Sequence, residues 1–155
     1  MLTKKILSKL MVSVVAIGLA ACSASDITGA GGGSDSTYYT DPASPHLIGT
    51  APVTYNGTLE GNTSNLAGRG FYKINIAAGG QYNFTLSDFS PADVDMLVLD
   101  HPLVDMGYEI LCLGMTYDTP ESCTITSSDT ATLTEVYIYL DNLDPEPVNF
   151  TLTVD

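Results

Sequence analysis

The sequence is short of the residues on which most catalytic and metal-binding chemistry depends. Its 155 residues, enough for one domain, include no Trp, two His and three Cys, and five Lys and Arg stand against 18 Asp and Glu. The scarcity of His and Cys leaves little material for a transition-metal site or a His-based catalytic centre. A formal charge of −13 argues against a nucleic-acid partner, because phosphates are bound through Lys and Arg. A hydrophobic content of 45% is too high for an intrinsically disordered chain.

Long hydrophobic runs are also missing. The apolar run at 10–20 has 11 residues and follows a basic start that contains Lys4, Lys5 and Lys9. Such a run is too short to span about 30 Å of hydrocarbon, which requires about 20 helical residues. A basic start, a short apolar segment and small residues at its end are typical of an export signal, so residues 1–21 are predicted to be a signal peptide.

The last residues of this signal indicate a particular class of exported protein. Leu19-Ala20-Ala21-Cys22 resembles the lipobox of bacterial lipoproteins, in which the Cys receives a diacylglycerol and becomes the new N-terminus. The alternative is an ordinary secretory signal followed by an incidental Cys. Several acyl chains on Cys22 would attach the protein stably to a membrane. Ser23, where an Asp would favour retention in the inner membrane, favours the outer membrane. We therefore expect a lipid-anchored protein of the bacterial cell envelope.

The remaining sequence divides into a tether and a domain. Residues 22–45 are rich in Gly, Ser and Asp and contain Gly31-Gly32-Gly33, which indicates a flexible tether after the lipidated Cys. Residues 46–155 show a period-two pattern interrupted by turn residues, without a helical stretch. They are predicted to form an all-β domain, an antiparallel β-sandwich or jelly-roll-like fold of about eight strands.

The strands are predicted near 53–55, 70–77, 80–87, 95–100, 108–113, 122–126, 133–140 and 148–154. The Gly79-Gly80 pair predicts that 70–77 and 80–87 form a hairpin. The exposed faces of the sandwich are expected to carry Thr, Asn and Asp rather than Lys, with the acidic excess opposing aberrant pairing of edge strands.

Once Cys22 is assigned to lipid, Cys112 and Cys123 remain as an even pair in an exported protein. The turn signal Asp118-Thr119-Pro120 lies between them. A disulfide is therefore expected, because a zinc site lacks further ligands at suitable spacing and a reactive thiol lacks a basic neighbour.

Several motifs together resemble the bacterial pre-peptidase C-terminal domain over about residues 50–155. They are YNGTL at 55–59, GFYKINIAAGG at 70–80, ADVDMLV at 92–98, the paired Cys with ESCT at 121–124, and the closing segment at 148–154. The resemblance implies a jelly-roll-like sandwich that accompanies secreted hydrolases without being catalytic. It also implies binding of collagen or polysaccharide, or of calcium, as in some members of that family.

Two groups of residues are candidates for binding. The densest acidic segment contains Asp93 and Asp95, whose carboxylates could serve as ligands for Ca²⁺; the alternative is that Asp93 caps a turn. On the predicted strand 133–140, Tyr137 and Tyr139 share one face and could stack on sugar rings or prolines; the alternative is that a neighbouring loop covers them. Paired carboxylates could also serve a glycosidase, but no Trp is present for sugar stacking, so no enzyme is expected.

The sequence thus predicts a non-catalytic, membrane-anchored lipoprotein whose sandwich binds an extracellular or envelope polymer or protein. One alternative is a structural or assembly module for a partner envelope protein. Another is a calcium-stabilised accessory domain of a secreted hydrolase system.

Overall fold

The computed structural model describes residues 38–64, 67–104, 107–116 and 119–155, which belong to the compact unit Gly33–Asp155. The predicted signal peptide, Cys22 and most of the predicted tether lie outside the described residues. Across the described ranges, no helix is long and apolar enough to span a membrane.

Nine strands form two sheets that pack face to face. The strands are β1 (His46–Thr50), β2 (Val53–Leu59), β3 (Arg69–Asn75), β4 (Tyr82–Ser87), β5 (Val94–Leu99), β6 (Ile110–Gly114), β7 (Glu121–Ile125), β8 (Glu135–Asn142) and β9 (Val148–Val154). One sheet has five strands in the order β1-β3-β8-β5-β6, and the other has four in the order β2-β9-β4-β7. The predicted all-β sandwich is confirmed.

Period-two alternation of apolar residues forms the core between the sheets. In β9, Phe150, Leu152 and Val154 point inward and are at most 2% exposed. Val136, Ile138 and Leu140 of β8 face them from the five-stranded sheet and are equally buried. Each of these side chains contributes about 1.5–3 kcal/mol by leaving water. The core therefore fixes which face of every strand points outward.

The predicted hairpin of 70–77 and 80–87 is wrong. β3 pairs with β1 and β8 in the five-stranded sheet, whereas β4 pairs with β9 and β7 in the four-stranded sheet. The connection 76–81 crosses from one sheet to the other, and Gly79 accommodates its bend at a φ of 73°. Alternation alone could not reveal this, because the buried residues of both strands point into the same core whether the strands pair or oppose each other.

The sequence also did not predict β1. This short strand pairs in parallel with β3, so it adds a ninth strand and the one parallel pair of the described sheets. His46 lies between the rings of Tyr39 and Tyr55, with ring centroids 3.9 and 5.6 Å away, and Tyr72 extends this cluster into the core. The aromatic cluster fills the β1–β2 edge of the sandwich.

The last residues of the predicted tether contact the sandwich. The carbonyl of Tyr39 accepts a hydrogen bond of 2.8 Å from the backbone N–H of Phe71 on β3. Pro42 and Pro45 lie against the outer side of the five-stranded sheet.

A disulfide closes the opposite edge. Cys112 on β6 and Cys123 on β7 are bonded, with their Cα atoms 5.7 Å apart. The predicted pair is confirmed, and the structure adds that it joins an edge strand of one sheet to an edge strand of the other.

Asn142 ties together the loops at one end of the sandwich. Its side chain is completely buried, and its Nδ2 donates to the carbonyls of Glu60 and Glu146, each at 2.8 Å. Its Oδ1 accepts from the backbone N–H of Asp144 at 3.1 Å. The carboxylate of Asp144 in turn accepts from the N–H of Asp93 at 2.7 Å, which places the acidic segment before β5.

Candidate functional site

The two outward sheet faces differ sharply in chemistry. The outer face of the five-stranded sheet carries charged side chains from β3, β5 and β8: Arg69, Lys73, Asp95, Glu135 and Asp141. Arg69 and Lys73 are the only Lys or Arg residues of the sequence beyond residue 9. We call this surface the charged face.

Tyr137 and Tyr139 lie on the charged face, as the alternation in β8 predicted, and both are held by carboxylates. The hydroxyl of Tyr139 donates to Oδ2 of Asp141 at 2.8 Å, and the same oxygen lies 3.8 Å from Nε of Arg69. The hydroxyl of Tyr137 donates to Glu135, whose other carboxylate oxygen lies 3.8 Å from Nζ of Lys73. Burial and the bond to Asp141 raise the pKa of Tyr139, so its phenol stays protonated.

These tyrosines are covered to different degrees. Tyr139 is 9% exposed and packs on Phe71 with ring centroids 5.2 Å apart, whereas Tyr137 is half-buried. Pro42, Pro45 and Pro102 border the crevice above them, whose volume is about 10 Å³. A space of this size holds about one water molecule, so a sugar ring would stack on Tyr139 only if the covering segments moved.

Asp95 lies directly opposite Asp141 where β5 pairs with β8. Burial, followed by the negative charges of Asp93, Glu121 and Asp141, raises the pKa of Asp95 from 3.8 to about 6. Asp93 precedes β5, and its backbone is fixed by the loop after Asn142, since its carbonyl accepts from the N–H of Leu143 at 2.9 Å.

The two predicted calcium ligands therefore interact electrostatically, because the charge of Asp93 contributes to the raised pKa of Asp95. No group of three or more His, Cys, Asp or Glu side chains is arranged to hold a metal ion in the ranges that the structure describes. Any cation at Asp93 and Asp95 would take its other ligands from carbonyl oxygens and water.

Glu121 is an acidic residue that sequence analysis missed. It begins β7, is 1% exposed, and its Oε1 accepts from the backbone N–H and hydroxyl of Thr116 at 2.8 and 2.6 Å. Within the described ranges its Oε2 has no hydrogen-bond partner. It lies against Gly114, where an added Cβ would come within 2.9 Å of Oε2. The alternation with Cys123 and Ile125 in β7 could have placed this Glu on the inward face.

The outer face of the four-stranded sheet bears no charged side chain on its four described strands. We call it the neutral face. Its outward residues are all Thr, Asn or Ser: Thr54, Asn56, Thr58, Asn83, Thr85, Ser87, Ser122, Thr124, Asn149, Thr151 and Thr153. The sequence predicted Thr and Asn outward but not the complete separation of charge between the two faces, which depends on which strands share a sheet.

A groove lies across β2 and β9 on the neutral face, between the cross-strand pairs Asn56–Thr151 and Thr58–Asn149. It has a volume of about 190 Å³, and its walls include Asn56, Thr58, Asn149 and Thr151. Asp88, at the end of β4, borders it and adopts a positive φ of 64°. This groove was not predicted, because its walls come from strands that are distant in sequence.

Comparison with solved structures places the fold. The chain is similar to the pre-peptidase C-terminal domain of a collagenase from Bacillus anthracis, with a TM-score of 0.54 and 17% identity, over 72% of this chain and 95% of that one. It also aligns with the Yersinia pseudotuberculosis-derived mitogen, with a TM-score of 0.44 and 18% identity, over 66% of this chain and 82% of that one. No family model and no curated protein matches the sequence.

The first likeness concerns the fold. The domain is a β-sandwich whose fold is similar to that of a pre-peptidase C-terminal domain, as the sequence motifs implied.

Proposed function

We propose that this protein is a non-catalytic lipoprotein of the bacterial envelope, anchored through Cys22, whose sandwich binds a polymer or protein outside the membrane. The observation that carries the proposal is the contrast between the two outward sheet faces. One is charged and internally paired, while the other is an open surface of neutral hydrogen-bonding groups. Such a surface suits recognition more than chemistry, because it brings no titratable groups together.

The fold supports an accessory role. The solved domain that it resembles is the pre-peptidase C-terminal domain of a collagenase, and an accessory domain of this type is expected to bind rather than to cleave. The lipobox-like segment at 19–22 would place such a domain on a membrane, with Ser23 favouring the outer one.

Fractionation of cells that express the full chain tests the anchor. We expect the wild-type protein in the outer-membrane fraction, and the Cys22→Ala variant in the soluble or periplasmic fraction or retained as uncleaved precursor. Ser23→Ala is the matched control, because it changes the next residue and keeps the lipidated Cys. Unchanged membrane fractionation and processing of Cys22→Ala would contradict the anchor.

We also propose that Ca²⁺ binds near Asp93 and Asp95. A divalent cation would relieve the repulsion between these carboxylates, which after burial is the next cause of the raised pKa of Asp95. Millimolar Ca²⁺ should then raise the melting temperature of the wild-type protein, and EDTA should reverse the change. The double variant Asp93→Asn and Asp95→Asn should lose this response, whereas Asp155→Asn should keep it. An identical melting temperature with Ca²⁺ and with EDTA in the wild-type protein would contradict the site.

A second candidate function is assembly with a partner envelope protein. It is favoured by a row of exposed apolar side chains at the β6 edge, all between 39% and 56% exposed: Tyr108, Ile110, Leu113 and Met115. Crosslinking in intact cells should then capture one stoichiometric partner, and Ile110→Lys with Leu113→Lys should abolish the capture. The matched control is Leu143→Lys, at another exposed apolar position.

A further inference from the structure

The neutral face is a regular array of hydrogen-bonding groups. Cross-strand pairing brings Thr54, Thr153, Thr85 and Ser122 into one row across the four strands. Rows of this kind repeat at about 6.8 Å along the strands, and neighbours within a row lie about 4.8 Å apart. The array contains no cation and no anion, although the sequence has 18 acidic residues.

A hydrogen bond from a Thr hydroxyl fixes the orientation of each Asn side chain in this array. Each receives a hydrogen bond at Oδ1 from a Thr on the neighbouring strand, at 2.8 Å in all three pairs: Thr58 to Asn149, Thr151 to Asn56, and Thr124 to Asn83. Because Oδ1 is engaged, the amide nitrogen is left as a fixed donor. Within the described ranges none of the three amide nitrogens makes a hydrogen bond. The paired Thr hydroxyls keep lone pairs that accept.

Two of these Thr–Asn pairs form the walls of the groove. Gly57 and Phe150 also line it, but the Phe150 side chain points inward and is 2% exposed, so these two residues border the groove through their backbone. The groove therefore combines amide donors, hydroxyl acceptors and, at Asp88, a carboxylate acceptor. Its volume of about 190 Å³ suits one sugar ring rather than a drug-sized ligand, for which pockets are typically about 300–1,000 Å³.

From this arrangement we infer that the neutral face binds a neutral polysaccharide, with one sugar residue in the groove across β2 and β9. Sugar hydroxyls both donate and accept, which matches the mixture of amides, hydroxyls and the Asp88 carboxylate. Anionic polymers are disfavoured, because the face offers no cation and the protein carries a charge of −13. This inference rests on the proposed binding function and assigns it a ligand class and a site.

Retention of the full chain, purified in detergent micelles, on insoluble polymers tests the inference. The probes are microcrystalline cellulose, chitin, starch and the β-1,3-glucan curdlan, with alginate gel as an anionic comparison. The test variants are Asn56→Asp and Asn149→Asp, which replace an amide donor in the groove by a charged acceptor of the same shape. The matched control is Asn83→Asp, which makes the same change in the same kind of Thr–Asn pair outside the groove.

We expect retention on at least one neutral polymer and not on alginate, with about tenfold weaker binding for Asn56→Asp and for Asn149→Asp. Asn83→Asp should bind as the wild-type protein does, and circular dichroism should find all three variants folded. Retention that survives both groove substitutions overturns the inference but leaves the proposed binding function standing. Retention on alginate alone, or failure to bind any of the neutral polymers, also overturns it. The membrane anchor is decided separately by the Cys22→Ala fractionation.

Discussion

Asp95 and Asp141 face each other directly across the β5–β8 pair on the charged face. Two carboxylates in this position disfavour each other's ionisation, and only Asp141 has an arginine and a tyrosine hydroxyl to stabilise its charge. The pKa of Asp95 rises to about 6, first through burial, then through the charges of Asp93 and Glu121, and last through that of Asp141.

The raised pKa of Asp95 predicts a stability that falls as pH rises. In the folded state Asp95 holds its proton up to about pH 6, whereas in the unfolded chain it loses it near 3.8. The folded state thus binds more protons between these values, and the free energy of unfolding decreases over that window. Asp95→Asn should remove the decrease and be more stable at pH 7 by about 1 kcal/mol, after solvent screening at this partly exposed site.

Urea denaturation at pH 3.5 and at pH 7 measures this difference. The wild-type protein and Asp95→Asn should differ at pH 7 and nearly coincide at pH 3.5. Asp155→Asn, at an exposed terminal position, should follow the wild-type protein at both values. A lower stability of Asp95→Asn at pH 7 would contradict the prediction.

The buried carboxylate of Glu121 should affect Asp95 at a distance. Its charge is one of the causes of the raised pKa, after burial and Asp93. Glu121→Gln keeps an oxygen that can accept from Thr116 and removes the charge, so the pKa of Asp95 should fall while remaining above 3.8. An NMR titration of the Asp95 carboxyl group measures this shift, and Glu109→Gln is the exposed control. An unchanged titration in Glu121→Gln would show that the two groups are not coupled.

The Cys112–Cys123 bond should be a large part of the stability of the domain. It closes a short loop and fixes β6 to β7 at the edge of the sandwich. Replacing both residues by Ser should lower the free energy of unfolding by about 3 kcal/mol. Urea denaturation without reductant measures the loss, and dithiothreitol should bring the wild-type protein close to the double variant. Ser122→Ala, at an exposed position beside Cys123, is the control, and equal stability of the double variant and the wild-type protein would rule out this role.

We expect Asn142 to contribute more to the free energy of unfolding than its sequence context suggests. Asn142→Ala removes three hydrogen bonds and leaves the carbonyls of Glu60 and Glu146 without their donor, so it should cost about 3 kcal/mol. Asn142→Asp should be at least as damaging, because it turns the donor into a charge facing two carbonyl oxygens. Thermal unfolding measures both, with the exposed Asn149→Ala as control. If Asn142→Ala loses no more stability than Asn149→Ala, the stabilising role of Asn142 is contradicted.

The sequence predicted what depends on local pattern. Alternation in β9 identified a buried and a solvent face, and the parity of Cys112 and Cys123 identified the disulfide. Prediction from the sequence failed where paired strands are distant in the chain. Gly79-Gly80 was compatible with a hairpin and with a crossing between sheets, and β1 pairs with a strand that begins 23 residues after its own first residue.

The same limit applies to the binding surfaces. Tyr137 and Tyr139 were correctly expected to share a face, but the cover by Pro42 and Pro102 depends on segments far from β8. The neutral face was visible in the sequence only as scattered Thr and Asn residues. It became one surface when β2, β9, β4 and β7 were found in the same sheet.

The position of the two basic residues on β3 has a consequence for proteolysis. Trypsin cleaves after Lys and Arg, and beyond residue 9 it has only the bonds after Arg69 and Lys73. Both lie in a strand that pairs with β8 on one side, and with β1 on the other near Lys73. A protease needs an extended, accessible segment, so the domain must open before either bond is cut, and the rate of tryptic digestion would report the unfolding of the sandwich itself.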